Sequence, residues 1–209
     1  MKNDTRIYNT LMADYPALDG LPVWQAYEML LECAQKDGKI LLCGNGGSAA
    51  DAEHIVGELM KGFKLPRKLT EADMKAFSGY EAMAAKLQKG VQAIALNSQT
   101  SLVTAVANDN GFEMVYAQQV YVYGHEGDVL IGMTTSGNSA NVVNAAITAK
   151  AKGMKVIGIT GAKESKLSAC SDLCLRLPAE ETYQIQEYTL PIYHALCAMV
   201  EDTLFGENN

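Results

Sequence analysis

The sequence has 209 residues, 48% of them hydrophobic and 20% charged, with a formal net charge of −7. That is the composition of a single globular domain, expected to span 1–209, and it excludes a disordered or fibrous chain. The acidic balance argues against nucleic acid or an anionic membrane as the main partner, since both need clustered Lys and Arg, so an anionic ligand must be held by backbone N–H groups and helix N-termini.

Over 5–36, apolar positions recur at helical spacing with breaks at Pro16 and Gly20. They predict two helices, the second ending by Gly38, which form a helical extension over 1–37. From there the period changes. Five short apolar runs, at 39–44, 91–97, 127–135, 154–160 and 172–178, are bounded by Gly, Asn or Pro, as buried strands are. Helical stretches at 48–61, 100–108, 112–123, 140–152 and 163–170 lie between them, and a long terminal helix follows Glu181, with Pro191 as a point of disturbance. Alternating strands and helices give an α/β fold, a five-stranded parallel sheet with helices on both faces, whose ligands sit at the carboxyl ends of the strands.

One connection is too long for this scheme. The excursion over 64–90 carries Thr70 as an N-cap with Asp73 at the third helical position, and stops at Gly79 and Gly90, which predicts two short helices. It is read either as a surface elaboration or subunit contact, or as a lid over a site.

Two loops concentrate glycine and hydroxyl side chains. Gly44 to Ala49 spell the dinucleotide pattern G-x-G-x-x-G/A, but that pattern also needs a prompt second strand ending in an acidic residue about 20 positions on. Here the next strand arrives near 91 and ends at Asn97, which disfavours a nucleotide. The loop Thr134 to Ala140, "TTSGNSA", follows another strand and opens another helix. Such a turn converges N–H groups and hydroxyls at the positive end of a helix and suits a phosphate. The alternative is a β-turn with Ser139 as N-cap; two such loops in one sheet favour a bound anion.

Beyond the glycine loop, His54 and Glu58 are four apart on one helix, about 40° from each other around its axis. They can meet a common atom, or form an ordinary surface contact. Gln186 and His194, eight apart, are separated by about 80° and can line one cleft. His125 falls in a turn and is read as a surface residue. Cys33, Cys43, Cys170, Cys174 and Cys197 are odd in number and scattered, as reduced core thiols are; Cys170 and Cys174 have no second pair with which to complete a metal site. No basic stretch leads into an apolar one near the start and no 18-residue apolar run occurs, so a cytoplasmic location is expected.

"GNGGSAADAEH", "TTSGNS", "IGITG" and "IQE…H" together closely resemble the SIS (sugar isomerase) domain family, and within it the phosphoheptose isomerases, over roughly 35–205. The resemblance implies the SIS fold and a homotetramer with active sites at subunit interfaces. It implies zinc, or a similar divalent ion, held by His54, Glu58, Gln186 and His194. Sugar-phosphate contacts would come from Asn45, Gly46, Gly47, Glu58, Asn108, Asp109, Thr134, Thr135, Ser136, Ser139 and Gln186, with Glu58 and His194 as the acid–base pair. The implied reaction converts sedoheptulose 7-phosphate to D-glycero-D-manno-heptose 7-phosphate for nucleotide-activated heptose synthesis. Two alternatives stand beside it: an isomerase or binder of another sugar phosphate, and a non-catalytic SIS regulator, a branch that lacks the counterpart of Glu58. Thr134 stands where many relatives have serine and keeps the hydroxyl; two further departures, Tyr188 where a histidine is common and the longer excursion at 64–90, touch the pocket or subunit contacts.

Overall fold

The computed structural model describes residues 3–206, so the first two and last three positions of the expected 1–209 span lie outside it. Helices α1 (Asn3–Asp14) and α2 (Val23–Gln35) are separated by a 3-10 turn at Pro16–Leu18 and by Gly20 at φ +80°, where the breaks were expected. The left-handed residue that ends α2 is Asp37 at φ +58°, not the glycine after it.

The sheet consists of β1 (Ile40–Cys43), β2 (Ala93–Ala95), β3 (Val129–Met133), β4 (Lys155–Thr160) and β5 (Leu173–Arg176), all parallel in the order β2-β1-β3-β4-β5. Each strand is shorter than the apolar run that predicts it. β2, for example, pairs only with Ile40 to Leu42, after which Leu96–Ser98 turn away in a 3-10 turn. Every residue of β1 and β3 is buried, because the side chains alternate into two separate cores. Ile40, Leu42, Ile131 and Ile157 pack on one face with α2, α3 (Gly47–Met60) and α10 (Thr182–Phe205). Leu41, Cys43, Leu130 and Val156 pack on the other with α6 (Thr100–Asn110), α7 (Val115–Tyr123), α8 (Ala140–Ala151) and α9 (Lys166–Cys170).

Helix α10 runs unbroken for 24 residues with Pro191 inside it, where a disturbance was expected. An interior proline costs about 3 kcal/mol. The buried Ile192, Leu196, Met199 and Val200 just beyond it each contribute roughly 1.5–3 kcal/mol, enough to hold the helix on its course. Among the described residues no helix is long and apolar enough to cross a membrane.

The excursion forms α4 (Glu71–Lys75) and α5 (Glu81–Ala84). Thr70 Oγ1 accepts from Asp73 N–H at 3.2 Å while the Asp73 carboxylate accepts from Thr70 N–H at 2.9 Å, the reciprocal cap that the spacing suggests. Its base is pinned by a buried ion pair. Arg67 Nε donates to Glu201 Oε1 at 2.7 Å, with both side chains 1% exposed. The guanidinium also donates to the carbonyls of Glu58 (2.8 Å) and Leu59, capping the C-terminus of α3, and it stacks over the Phe205 ring. The Glu201 carboxylate accepts in addition from Phe63 N–H and Lys64 N–H at 2.8 and 2.7 Å. Arg67 thus ties the end of α3 to α10, the two helices that carry the candidate acid–base residues.

Candidate active site

In this strand order the connections leave β1 and β3 toward opposite edges of the sheet, so the loops at their carboxyl ends diverge and open a crevice. Cys43 pairs with Gly132, which sets the glycine loop and the "TTSGNSA" loop at one level. They border a cavity of about 310 Å³ lined by Asn45, Gly46, Gly47, Ser48, Met133, Thr134, Thr135, Ser136, Ser139, Thr182 and Gln186. Helices α3 and α8 both begin at its wall and bring the positive ends of their dipoles to it.

Two glycines shape the first loop. Gly46, at φ +55° and ψ −121°, has the first central position of a type II′ turn, which a side chain strains. A Cβ on Gly47 would collide with the Gln186 side-chain amide, so glycine leaves room for that amide against the loop. The two loops are locked by a reciprocal amide pair. Asn45 Nδ2 donates to Asn141 Oδ1 at 3.0 Å, and Asn141 Nδ2 returns to Asn45 Oδ1 at 2.8 Å. Tyr116 OH donates to the Gly44 carbonyl beneath; burial pushes its phenol up to about 12, so it stays a neutral donor.

In the second loop Thr134 Oγ1 lies 2.8 Å from Ser139 Oγ and 3.4 Å from Ser136 Oγ, while Asn138 N–H donates to Ser136 Oγ at 3.2 Å. Ser139 precedes α8 but makes no side-chain cap. Its hydroxyl is turned toward the cavity cluster instead, contrary to what a plain turn with an N-cap requires.

The histidines and the glutamate gather deeper along α3 and α10. His54 Nε2 is 3.2 Å from Glu58 Oε1, and the His54 and His194 rings meet edge to face with centroids 5.0 Å apart. Tyr193 and Phe63 flank His194 at 4.8 and 5.6 Å. Burial and the neighbouring His54 imidazole lower the His194 pKa, so the ring is neutral near pH 7. Glu58 is 13% exposed, and its Oε2 is buried without a hydrogen-bond partner. An unpaired buried carboxylate oxygen costs about 1–3 kcal/mol or more, and the cost vanishes when a cation, a proton or a ligand hydroxyl arrives.

Eight of the residues singled out from the sequence, Asn45, Gly46, Gly47, Thr134, Thr135, Ser136, Ser139 and Gln186, line the one cavity. Asn108 and Asp109 do not: they are exposed on the last turns of α6, where Asn108 Nδ2 donates to Asp109 Oδ1 at 2.7 Å. His54, Glu58 and His194 form one cluster, and Gln186, two turns back on α10, faces the glycine loop. His194 also borders a larger, more apolar groove of about 510 Å³ between α1 and α10, with Arg6, Phe63, Lys64, Leu190 and Pro191. Among the described residues no three His, Cys, Asp or Glu side chains converge closely enough to hold a metal by themselves. The helices of the excursion do not line the cavity. His125, with an exposed side chain, contacts Lys39 and Asp128 at the surface, as expected.

Sequence reasoning missed Asn141, Thr182, Asp51 and Tyr193. Asn141, in the first turn after "TTSGNSA", gave a local signal in its position. Thr182, whose Oγ1 is 3.5 Å from that of Thr135, had none, because it sits 47 residues from its partner.

A profile described as "SIS domain" matches residues 10–92 and 74–161. A phosphoheptose isomerase of Rhodospirillum rubrum is 42% identical over 167 residues, which is 80% of this chain and 78% of that protein. One from Burkholderia pseudomallei is 38% identical, with 97% of this chain and 91% of the relative covered. The solved structure of a phosphoheptose isomerase from Francisella tularensis superposes with a TM-score of 0.76 at 30% identity, covering 96% of this chain and 97% of that one.

Proposed function

The chain belongs to the SIS domain family, and from that membership and its cavity we propose that it is a phosphoheptose isomerase, an aldose–ketose isomerase that converts sedoheptulose 7-phosphate to D-glycero-D-manno-heptose 7-phosphate. The observation that carries this reading is Glu58, a buried carboxylate with one oxygen unpartnered, on the helix whose N-terminus borders the phosphate-sized cavity. A regulatory protein gains nothing from such a group and bears its cost.

In this reading Ser136, Ser139, Thr134 and Thr135, with the N-terminal N–H groups of α8, hold the phosphate. Asn45, Gly46, Gly47 and Gln186 guide the sugar chain, and Asn108 and Asp109 join in once a neighbouring subunit closes the site. Glu58 removes the proton from C1 of the ketose, giving an enediol, and returns a proton to C2 to give the aldose. His194, neutral, moves the proton between the C1 and C2 oxygens. The donor set of His54, Glu58, Gln186 and His194 fits zinc in kind, and the unpartnered Glu58 Oε2 suits a cation. Bound there, the ion would polarise the sugar oxygens. A homotetramer agrees with the exposed apolar side chains Leu102, Phe112, Met114, Tyr121 and Val122 on α6, α7 and the 3-10 turn between them. Five free thiols suit a cytoplasmic enzyme.

The test is incubation of the purified protein, with zinc supplied, with sedoheptulose 7-phosphate and separation of the products. The aldose is expected; a protein that neither forms it nor binds either sugar contradicts the proposal. The cradle has its own test. Ser136→Ala is expected to raise KM roughly 10-fold or more, the worth of one hydrogen bond to a charged group, with a smaller change in kcat. An unchanged KM would reduce "TTSGNS" to a turn.

A further inference from the structure

The inference concerns Asn141 and deepens the isomerase reading above, on which it rests. Asn141 lies in the first turn of α8, is 3% exposed and does not border the cavity, whereas Asn45, its partner across the two loops, does. The pair passes for a simple lock. It also fixes which way round the Asn45 amide is held.

A carboxamide can be turned end for end with almost no change of shape, so its neighbours decide where oxygen and nitrogen lie. For Asn141 the deciding neighbour is backbone: Val142 N–H, which can only donate, lies 3.0 Å from Oδ1. With that oxygen fixed, the Asn45 atom 3.0 Å from it must be the nitrogen, and the Asn45 atom 2.8 Å from Asn141 Nδ2 must be the oxygen. The reverse setting of Asn45 would put two acceptors face to face at one contact and two donors at the other. Tyr116 does not compete, since its hydroxyl donates to the Gly44 carbonyl and stands 3.4 Å from Asn45 Oδ1. An amide nitrogen carries two protons. One proton of Asn45 Nδ2 is bonded to Asn141, and the other has no acceptor among the described residues. The oxygen, by contrast, is already occupied by Asn141 Nδ2.

We propose that Asn141 is the positioning residue for Asn45: it holds the Asn45 amide so that an N–H, and not the carbonyl oxygen, is offered to the cavity, which selects an acceptor oxygen of the sugar phosphate at that point. Because Asn141 stands behind Asn45 and outside the cavity, it acts on the ligand only through that amide.

The test has two arms. The first is a double-mutant cycle in KM for sedoheptulose 7-phosphate with Asn45→Ala, Asn141→Ala and the two together. Each single change is expected to raise KM about 2–10-fold, the worth of one hydrogen bond, and the double variant is expected to match Asn45→Ala alone. Effects that multiply in the double variant, as two independent structural losses would, or a folded Asn141→Ala protein with wild-type KM, overturn the proposal. Asn141→Ser, whose single hydroxyl cannot make the reciprocal pair, takes its place if the alanine variant does not fold. The second arm needs no turnover. In wild-type protein labelled with 15N at asparagine and measured without sugar, the Asn45 side-chain amide, identified by its loss in Asn45→Ala, is expected to show one proton downfield of the range of free asparagine amides. That shift should vanish in the Asn141 variant. Its absence from the wild type, or its survival without Asn141, overturns the proposal as well. A wild-type protein that neither converts nor binds sedoheptulose 7-phosphate counts against the reading of function instead, and the amide measurement still decides what Asn141 does to Asn45.

Discussion

Glu58→Gln is expected to lower kcat by about 10²–10⁴-fold, the range that a general base contributes, while the protein folds as before. The substitution is nearly isosteric and removes the proton acceptor without emptying any space. It also neutralises a group whose Oε2 is buried without a partner, so the thermal midpoint should stay level or rise. The combination is what makes the result diagnostic: a structural residue would lose stability along with activity, whereas a strained catalytic carboxylate loses activity alone. Near wild-type kcat in the variant would remove Glu58 from the mechanism.

The second large effect falls on stability. Arg67→Ala is expected to destabilise the fold by about 3–5 kcal/mol, the cost of breaking a buried ion pair by removing one partner. The Glu201 carboxylate would keep only the N–H groups of Phe63 and Lys64, and the carbonyls of Glu58 and Leu59 at the end of α3 would lose their donor. Replacing both partners with apolar residues, as in Arg67→Met with Glu201→Leu, should cost far less than the sum of the single changes, because no lone charge is left buried. Urea unfolding monitored by circular dichroism measures both. A loss below about 0.5 kcal/mol for Arg67→Ala would show the pair to be no stronger than a surface contact.

These two residues mark what could be read in the sequence. The strands were legible because each is an apolar run between breakers, and "ILLC" or "VLIGM" has no other home than the middle of a parallel sheet. Thr70 with Asp73 announced α4 through chemistry confined to four residues. Both site loops and the His54–Glu58 pair were legible for the same reason: their meaning lies in local spacing. Arg67 and Glu201 are 134 residues apart and give no local signal, and only the packing of α3 against α10 buries them together. Tyr193 gives no local signal either, because its hydroxyl meets Asp51 and His54 from another helix. Pro191 misled in the opposite direction, since local propensity forecast a disturbance that tertiary burial overrides.

The central claim is that a sugar phosphate held by the two loops exchanges a proton between adjacent carbons through Glu58. Turnover of sedoheptulose 7-phosphate in D2O, followed by proton NMR, tests it most directly. The account predicts an aldose product carrying deuterium at C2, with deuterium entering C1 of the recovered ketose, and neither signal in Glu58→Gln. Product formation or labelling that persists at the wild-type rate in Glu58→Gln would contradict it.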